Sequence, residues 1–504
     1  GTDVDAAQGF ATDCIGEIGV ASADLHVYGT LQAADDVDAI RAQLGADRIV
    51  LYGESYGTRL AQVYASRHPD RLSALVLDGV VDMQSSGVDF WSESARGFDA
   101  TFQATEAACL ADAHCSADLD GHSGVALLRD FLTHAANGRQ VMLPDPGGPS
   151  YEEVDPSEIE HAIATSLYTE AGRATVQRAV AELARGDSTV LGHLIEIDRE
   201  IGPQGVSRHI AERSGPAIGA ADSAGGIAAY YAIECADYDY PSGSAGDLAF
   251  EVAQRQADNE GIVLDAVVSQ DMPCDYWPAH GSAVGKLTVP SIPTLVLAAT
   301  TDPVTPPANA DRTAARLPDG SLVTSQGGPH VTWRIANPCV DDAVDGLLLH
   351  GTLPPTGSTC QDRVADPYTP LPPTGQAGLP ALDAMDAIRT ETFALPELQY
   401  WDGIDRIEVP CSFGGSVDIT TDATAPIRSM SGPSPAGVPV DYHYTGCDVS
   451  GSLAFDGDAT YDPTSGVYRL TAHIGNDSLL LTVDKNEHRV VQGTWHGEPV
   501  NDHD

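Results

Sequence analysis

The first eighty residues alternate between helical and strand-like hydrophobic patterns. Apolar positions in residues 31–44 recur at helical spacing and stop at a glycine, which predicts a helix. Residues 48–53 predict a buried strand, residues 58–67 a second helix that ends before Pro69, and residues 73–79 a second buried strand. A strand, helix and strand of this length form a βαβ unit, so we expect a parallel sheet covered on both faces.

The middle of the chain is more polar and mostly helical in pattern. Residues 85–289 contain few strand-like runs and therefore indicate a helical cap inserted into the sheet. The strand pattern returns at residues 292–298 and, more weakly, at 322–325, where we expect the sheet to resume. The predicted fold class is α/β with an inserted cap.

The C-terminal part changes character after a stretch rich in proline and glycine. Residues 365–381 predict a linker, and the alternating patterns at 467–474 and 479–483 predict a small antiparallel β-domain. The predicted organisation is a core in two parts (1–84 and 290–364), a cap (85–289), a linker (365–381) and a β-rich accessory domain (382–504).

Charge and composition exclude several classes of partner. The 504 residues include 73 acidic and 26 basic ones, a net charge of −47, and Lys286 and Lys485 are the only lysines. Nucleic acid and anionic membrane surfaces are therefore poor partners, because both require clustered positive charge. No stretch approaches the roughly 20 apolar residues of a membrane helix, so we expect no membrane insertion.

The nine cysteines indicate disulfides rather than a metal site. None forms a Cys-x-x-Cys pair and no His-Glu-x-x-His occurs, so we expect neither a metal nor an organic cofactor. Their spread along the chain favours disulfides and an oxidising compartment over buried thiols, and the odd number leaves one cysteine without an internal partner.

A pentapeptide near the N-terminus predicts a nucleophile. Gly53-Glu54-Ser55-Tyr56-Gly57 fits the Gly-x-Ser-x-Gly turn between a strand and a helix, which exposes the serine hydroxyl above the sheet. We expect both glycines to be required because side chains would clash in so tight a turn. The alternative is a turn of small residues that only connects the two elements.

A serine of this kind needs a base and an acid, and two later loops supply them. Asp302 follows the strand that ends at Ala298, at the edge of the sheet where α/β active sites gather. His330 lies in a polar loop after the weaker strand. The chain order Ser55, Asp302, His330 is that of α/β-hydrolases and predicts a catalytic triad, although each residue alone could be a turn or surface residue.

Residues 31–82 and 292–360 resemble the secreted actinobacterial tripeptidyl aminopeptidases, which are α/β-hydrolases related to proline iminopeptidases. The resemblance extends from the start to about residue 365, and the cap matches only loosely. It implies an α/β-hydrolase fold, a serine exopeptidase that acts on peptide N-termini with Ser55, Asp302 and His330 as triad, and secretion. The similarity is carried by Tyr52-Gly53-Glu54-Ser55-Tyr56-Gly57-Thr58, His68-Pro69-Asp70-Arg71, Asp302-Pro303-Val304-Thr305-Pro306 and Asn337-Pro338-Cys339.

Family members have several strands before the helix at residue 31, and a loop there supplies one oxyanion-hole N–H. Because this chain begins after them, the backbone N–H of Tyr56 is the predicted donor that remains. We expect a partial or processed chain with the partner of Cys14 in the absent segment, the alternative being a rearranged hydrolase. Proximity and the resemblance suggest the disulfides Cys109–Cys115, Cys235–Cys274, Cys339–Cys360 and Cys411–Cys447, although connectivity cannot be proved from sequence.

Three acidic residues are candidates for binding a peptide substrate. Glu234 and Asp237 could hold the α-ammonium group of a substrate, and so could Glu54 beside the nucleophile, unless all three are ordinary solvated acids. The leading hypothesis is a secreted serine aminopeptidase that releases N-terminal di- or tripeptides or proline. A carboxylesterase with the same triad, or a non-catalytic hydrolase-like binding protein, is the alternative.

Overall fold

The computed structural model describes residues 2–201, 222–240, 271–278, 287–335, 337–372, 379–399, 406–421, 438–448 and 453–504, together with residues 254, 284, 401, 403 and 451. Parts of the predicted cap and residues 373–378 of the predicted linker lie outside this set. The chain divides into two compact units. The first unit is Gly1–Ala108, Ile163–Arg173 and Asp198–Asp366, and the second is Cys109–Ala162, Ala174–Ile197 and Pro367–Asp504.

Helices and strands are numbered here in chain order. The helices are α1 (Thr2–Ile18), α2 (Thr30–Gln43), α3 (Tyr56–Arg67), α4 (Gly87–Ala111), α5 (Ala113–Asp118), α6 (Gly124–Ala135), α7 (Pro156–Ser166), α8 (Glu170–Ala184), α9 (Thr189–Ile201), α10 (Asp222–Asp237), α11 (Pro307–Arg316), α12 (Pro338–His350) and α13 (Ala381–Phe393). The strands are β1 (Ile49–Glu54), β2 (Leu72–Asp78), β3 (Gln140–Leu143), β4 (Ser150–Glu153), β5 (Thr294–Ala299), β6 (Gly320–Gln326), β7 (Ser358–Gln361), β8 (Ile407–Pro410), β9 (Ser416–Thr421), β10 (Val440–Asp448), β11 (Ala454–Asp462), β12 (Val467–Ile474), β13 (Asp477–Val483), β14 (Arg489–Trp495) and β15 (Glu498–His503). Among the described helices, none has the length and apolar character that crossing a membrane requires.

The first unit is built on a five-stranded sheet with the order β1-β2-β5-β6-β7. All four of its strand pairs are parallel, so the carboxyl ends of the strands lie along one edge. Such edges gather the loops that carry chemistry in open α/β sheets. The sequence prediction of an α/β fold with a parallel sheet is confirmed.

Two hydrophobic cores cover the two faces of this sheet. Apolar side chains of α2, α3 and α11 pack on one face, against strand residues such as Leu75 and Val296. On the other face α12 packs Val340 and Val344 against Val76 and its neighbours. Strand β5 is buried along its whole length, which explains why its sequence is a continuous apolar run rather than an alternating one.

The second unit contains an eight-stranded antiparallel sheet with the order β15-β14-β13-β12-β11-β10-β9-β8. Alternate residues are buried, as in β10 and β11, because one face is covered by the apolar side of α13. The predicted antiparallel β-domain is confirmed, and its strand at 467–474 has the predicted bounds.

The structure groups the cap differently from the predicted domain boundaries. Residues 109–162 and 174–197 of the predicted cap belong to the second unit together with the C-terminal sheet, and the rest of the cap is assigned to the first unit. The buried guanidinium of Arg178 on α8 donates to the carboxylate of Glu391 on α13 at 2.7 Å. Residues 367–372 of the predicted linker also bind within this unit, since the N–H of Leu371 donates to Asp118 at 2.9 Å. Polar periodicity could reveal the helices but not the partners that they pack against.

Four disulfides cross-link the chain. They join the pairs that proximity and the family resemblance suggested, namely Cys109–Cys115, Cys235–Cys274, Cys339–Cys360 and Cys411–Cys447. Cys14 is buried and lies outside these pairs. Burial and the neighbouring charges of Glu17 and Asp13 raise the pKa of its thiol to about 11, so it is protonated at neutral pH.

Candidate active site

Ser55 lies in a strained turn between β1 and α3. Its backbone has φ 51° and ψ −126°, outside the conformations that a residue with a side chain normally adopts. The turn is closed tightly on one side, because a Cβ on Gly53 would lie 2.4 Å from the carbonyl oxygen of Gly57. Strain of this kind at a single serine is typical of a nucleophile elbow.

The prediction that both glycines are sterically required is wrong for the second one. A Cβ on Gly57 would meet nothing within 4 Å, since this residue already lies in the first turn of α3 and its hydrogen points to open space. The pentapeptide pattern could not distinguish the glycine that closes the turn from the glycine that merely follows it.

Tyr56 is the first residue of α3, directly after Ser55. The leading N–H groups of a helix have no partner within it, and its N-terminus carries partial positive charge. The Tyr56 N–H is therefore placed where an oxyanion on a group attached to Ser55 could be stabilised. Its role in an oxyanion hole stays a prediction.

Asp302 and His330 are in direct contact. His330 Nδ1 lies 3.0 Å from Asp302 Oδ1 and 2.9 Å from Oδ2. The carboxylate is held in place by the backbone N–H groups of Val304 and Thr305 at 3.1 and 2.9 Å and by the Thr305 hydroxyl at 2.7 Å. The turn after β5 therefore aims this carboxylate at the imidazole.

This contact fixes the proton on the imidazole. A carboxylate only accepts hydrogen bonds, so Nδ1 carries the hydrogen and Nε2 of His330 is left as a proton acceptor. Burial lowers the pKa of the imidazole, but the charge and hydrogen bond of Asp302, with smaller contributions from the charges of Asp78 and Glu54, outweigh that effect and the net pKa is raised. The pair therefore has the proton arrangement expected of a general base, His330, and of the acid that orients it, Asp302.

Ser55 and His330 both contact the end of β2. The N–H of Ser55 donates to the carbonyl of Asp78 at 2.9 Å, and a Cβ on the next residue, Gly79, would lie 3.0 Å from His330 Cε1. His330 Nε2 is buried and makes no hydrogen bond within the described part of the chain, so a bond to the Ser55 hydroxyl is not formed here. Catalytic hydrogen bonds are often incomplete without substrate.

Asp78 is a site residue that the sequence reasoning missed. Its fully buried carboxylate accepts the N–H groups of Thr332 and Trp333 at 2.9 and 2.8 Å, and the Thr332 hydroxyl at 3.1 Å. These bonds hold the loop just after His330, where Val331 has φ 72°, a strained value for a β-branched residue. The sequence signal that could have identified Asp78 is a buried aspartate at the end of an otherwise apolar strand.

The three acidic candidates for substrate binding differ in their burial and in their hydrogen-bond partners. Glu54 is exposed, with its carboxylate accepting from the Tyr52 hydroxyl at 3.1 Å. Asp237 is buried and already engaged, since it accepts the N–H of Thr30 at 2.9 Å and the Thr30 hydroxyl, and it faces Arg59 at 3.5 Å. Asp237 thus fastens the end of α10 to the helices beside the elbow.

Glu234 differs from both, because one of its carboxylate oxygens is buried without a partner. Oε1 of Glu234 and Oδ1 of Asp271 make no hydrogen bond to any residue that the structure describes. Burial raises the pKa of each carboxyl, and the charge of Asp271 raises that of Glu234 further. Asp271 was missed, although the Cys235–Cys274 disulfide is the signal that could have placed it near Glu234.

This acidic pair, Glu234 and Asp271, lies on the Tyr56 side of the elbow. The Tyr56 hydroxyl lies 2.6 Å from that of Thr30, which in turn binds Asp237, one helical turn after Glu234. Within the described residues, no cluster of three or more histidine, cysteine and acidic side chains has the arrangement of a metal site.

Another set of serine, histidine and carboxylate occurs in the second unit, and in this one the histidine bonds both partners. His193 Nδ1 lies 2.7 Å from Glu397 Oε1, and Nε2 lies 3.3 Å from Ser412 Oγ. The backbone of Ser412 is different, because Ser412 lacks the positive φ of Ser55 and a strand, not a helix, follows it. The next three N–H groups, those of residues 413–415, are already donated to backbone carbonyls. This set fastens α9 to the turn before β9.

Comparison with known families agrees with the geometry of the first unit. A family model described as alpha/beta hydrolase fold matches residues 10–117, which include Ser55. A second, described as TAP-like protein, matches residues 262–360, which include Asp302 and His330. The chain has the α/β-hydrolase fold and is similar to the TAP-like proteins over the second range. The resemblance drawn from its motifs is confirmed.

Curated relatives of this chain carry names of serine hydrolases. Serine protease Hip1 of Mycobacterium tuberculosis is 29% identical over 345 residues, 66% of this chain and 61% of Hip1. Tripeptidyl aminopeptidase of Streptomyces coelicolor is 26% identical over 355 residues, 68% of this chain and 59% of the relative. Carboxylesterase B of Mycobacterium tuberculosis is 27% identical over 359 residues, covering 69% and 63%. The chain thus spans about three fifths of the length of each.

The two glycines of the turn give a matched pair of substitutions. Gly53→Ala places a methyl group 2.4 Å from a backbone oxygen, so we expect a loss of about 1–3 kcal/mol in the free energy of unfolding. Gly57→Ala meets open space in a helix, and we expect no loss of stability. Denaturant unfolding of both variants measures the difference. Equal destabilisation would contradict the assignment of Gly53 as the residue that closes the turn.

Proposed function

We propose that this chain is a serine hydrolase of the peptidase type. Ser55 is the nucleophile, His330 is the general base and Asp302 orients and stabilises the imidazolium. The observation that carries the proposal is the strained Ser55 turn at a helix N-terminus, together with an Asp302–His330 pair at 2.9 Å that packs against Gly79 beside it. Both features are needed, because a serine hydroxyl is a weak nucleophile without an oriented base.

The reaction follows from these positions. Ser55 Oγ attacks the scissile carbonyl while its proton passes to His330 Nε2, and the Tyr56 N–H stabilises the oxyanion. The imidazolium then gives its proton to the leaving amine, and an acyl group remains on Ser55. A water molecule, deprotonated by the same nitrogen, releases the acyl group and restores the serine.

We further propose that the enzyme is an aminopeptidase that removes di- or tripeptides or proline from peptide N-termini. The support is the acidic pair, whose two buried oxygens without described partners suit a substrate ammonium group. Relatives named tripeptidyl aminopeptidase and serine protease agree with this assignment. The four disulfides support secretion or a cell-surface location, and a peptide is the proposed partner.

A carboxylesterase activity is the second candidate. The relative named Carboxylesterase B favours it, and the same acyl-enzyme chemistry serves esters and amides. The acidic pair favours the peptidase, because an esterase has no need of buried carboxylates for a substrate ammonium group. A non-catalytic hydrolase-like protein is the third candidate, and reaction of Ser55 with an active-site probe would exclude it.

A fluorophosphonate probe tests the nucleophile. We expect one adduct per folded chain, located at Ser55 by peptide mass spectrometry and lost in Ser55→Ala, because among the described serines Ser55 combines a positive φ with a helix N-terminus. Ser412→Ala is the matched control, since Ser412 also contacts a histidine at 3.3 Å, and we expect that variant to react like the wild type. An adduct at Ser412, or none at all on the folded protein, would refute the assignment.

Substrates with free and acetylated N-termini test the specificity. We expect cleavage of free peptides at least about 30-fold above that of acetylated ones, because an unpaired buried charge costs about 2 kcal/mol or more. Glu234→Gln should remove most of this preference, whereas Glu54→Gln, at an exposed carboxylate beside the nucleophile, should keep it. Equal rates for both substrate forms would favour the esterase.

A further inference from the structure

Arg173 is a fully buried arginine in the first turn of α8. Its Nε donates to the carbonyl of Leu167 at 2.8 Å, and its Nη2 donates to the carbonyl of Thr301 at 2.6 Å. Nη1 donates to the Thr301 hydroxyl at 3.1 Å and to the carbonyls of Gly328 and Val364 at 2.8 and 3.0 Å. One guanidinium therefore joins four separate stretches of backbone.

Two of these stretches carry the proposed catalytic residues. Thr301 directly precedes Asp302, and Gly328 lies two residues before His330. The Thr301 hydroxyl also donates to the Gly328 carbonyl at 2.7 Å, so the two loops are bonded to each other as well as to Arg173. Movement of either loop would break several of these bonds together.

The segment just before Arg173 holds His330 itself. The carbonyl of Tyr168 accepts the N–H of His330 at 2.9 Å, and the two rings meet edge to face with centroids 5.3 Å apart. Residues 167–173 thus contact the histidine through its backbone and ring, and the two catalytic loops through the guanidinium.

The charge of Arg173 has no carboxylate bound to it. Every hydrogen bond described above ends on a neutral oxygen, and no carboxylate of the described residues lies within ion-pair distance. Burial lowers the pKa of the guanidinium to about 10, although the charges of Glu170, Asp302 and Asp362 act to raise it, so it remains a cation at neutral pH. A buried cation whose hydrogen bonds all end on neutral oxygens is costly, which makes a contact that serves packing alone a poor explanation.

We propose that Arg173 is a positioning residue that holds the Asp302 and His330 loops in the alignment needed for proton transfer from Ser55. The proposal rests on the proposed serine hydrolase function. Arginine is required because its planar fork presents five N–H donors, whereas a lysine has three donors on a single atom and cannot span the same acceptors.

The experiment compares Arg173→Lys, Arg173→Met and the wild type by active-site titration. Fluorophosphonate counts the reactive Ser55 sites per chain, and kcat is then expressed per titrated site. We expect Arg173→Lys to keep most of its sites but to lose about 100-fold in kcat per site with little change in KM, since misplacement of about 1 Å can cost this much. Arg173→Met should lose at least as much.

Arg178→Lys is the matched control. Arg178 is equally buried on the same helix, but it donates to Glu391 and to the carbonyls of Thr369 and Pro370 instead of the catalytic loops. A structural loss lowers the number of titratable sites, and we expect only that effect in this control. Thermal unfolding of each variant sets a temperature at which all are folded.

The outcomes separate this inference from the function on which it rests. If the wild type neither reacts with the probe at Ser55 nor turns over a substrate, the function and the role of Arg173 are both refuted. If the wild type is active and Arg173→Lys retains its kcat per site, or loses only as much as Arg178→Lys, the function stands and the positioning role is refuted.

Discussion

The active site depends on the carboxyl end of β2, where Asp78 serves two loops at once. Its carbonyl accepts the Ser55 N–H, and its side chain accepts three donors from the loop after His330. Burial raises the pKa of this carboxyl, while the N–H donors favour its charged form. Because no cation pairs with it among the described residues, the bonds to Thr332 and Trp333 are what compensate for its burial. The same residue therefore holds both the proposed nucleophile and the proposed base in place.

The fold was predictable to the extent that its cores follow local periodicity. Continuous apolar runs in β2 and β5 indicated strands buried on both faces, and the loops after β5 and β6 carry the predicted Asp302 and His330. The grouping of α8 and α9 with the C-terminal sheet could not be predicted, because buried pairs such as Arg178–Glu391 join residues far apart in sequence. Periodicity describes which side of a helix is apolar, not what covers it.

The candidate site shows the same division between local and distant information. Ser55 was identified by its neighbours in the chain, and Gly53 by the turn it closes. Asp78, Asp271 and Arg173 act through partners more than a hundred residues away, or through a disulfide, so no local pattern marks them. The two sets of serine, histidine and carboxylate show that the backbone geometry at the serine, and not a nearby histidine alone, identifies the candidate nucleophile. Ser55 and Ser412 both have a histidine nearby, but only Ser55 combines a strained backbone with a helix N-terminus.

The most direct test of the account is the pH dependence of fluorophosphonate reaction at Ser55 in the wild type and in Asp302→Asn. His330 must be neutral to act as a base, and Asp302 raises the imidazole pKa, so the wild-type rate should rise through one ionisation above the ordinary imidazole pKa of about 6.5. Without the carboxylate, burial remains and lowers that pKa. In Asp302→Asn the ionisation should therefore move to lower pH, with a plateau rate reduced on the order of 10⁴-fold. An identical pH profile and plateau in the two proteins would contradict the pairing of Asp302, His330 and Ser55.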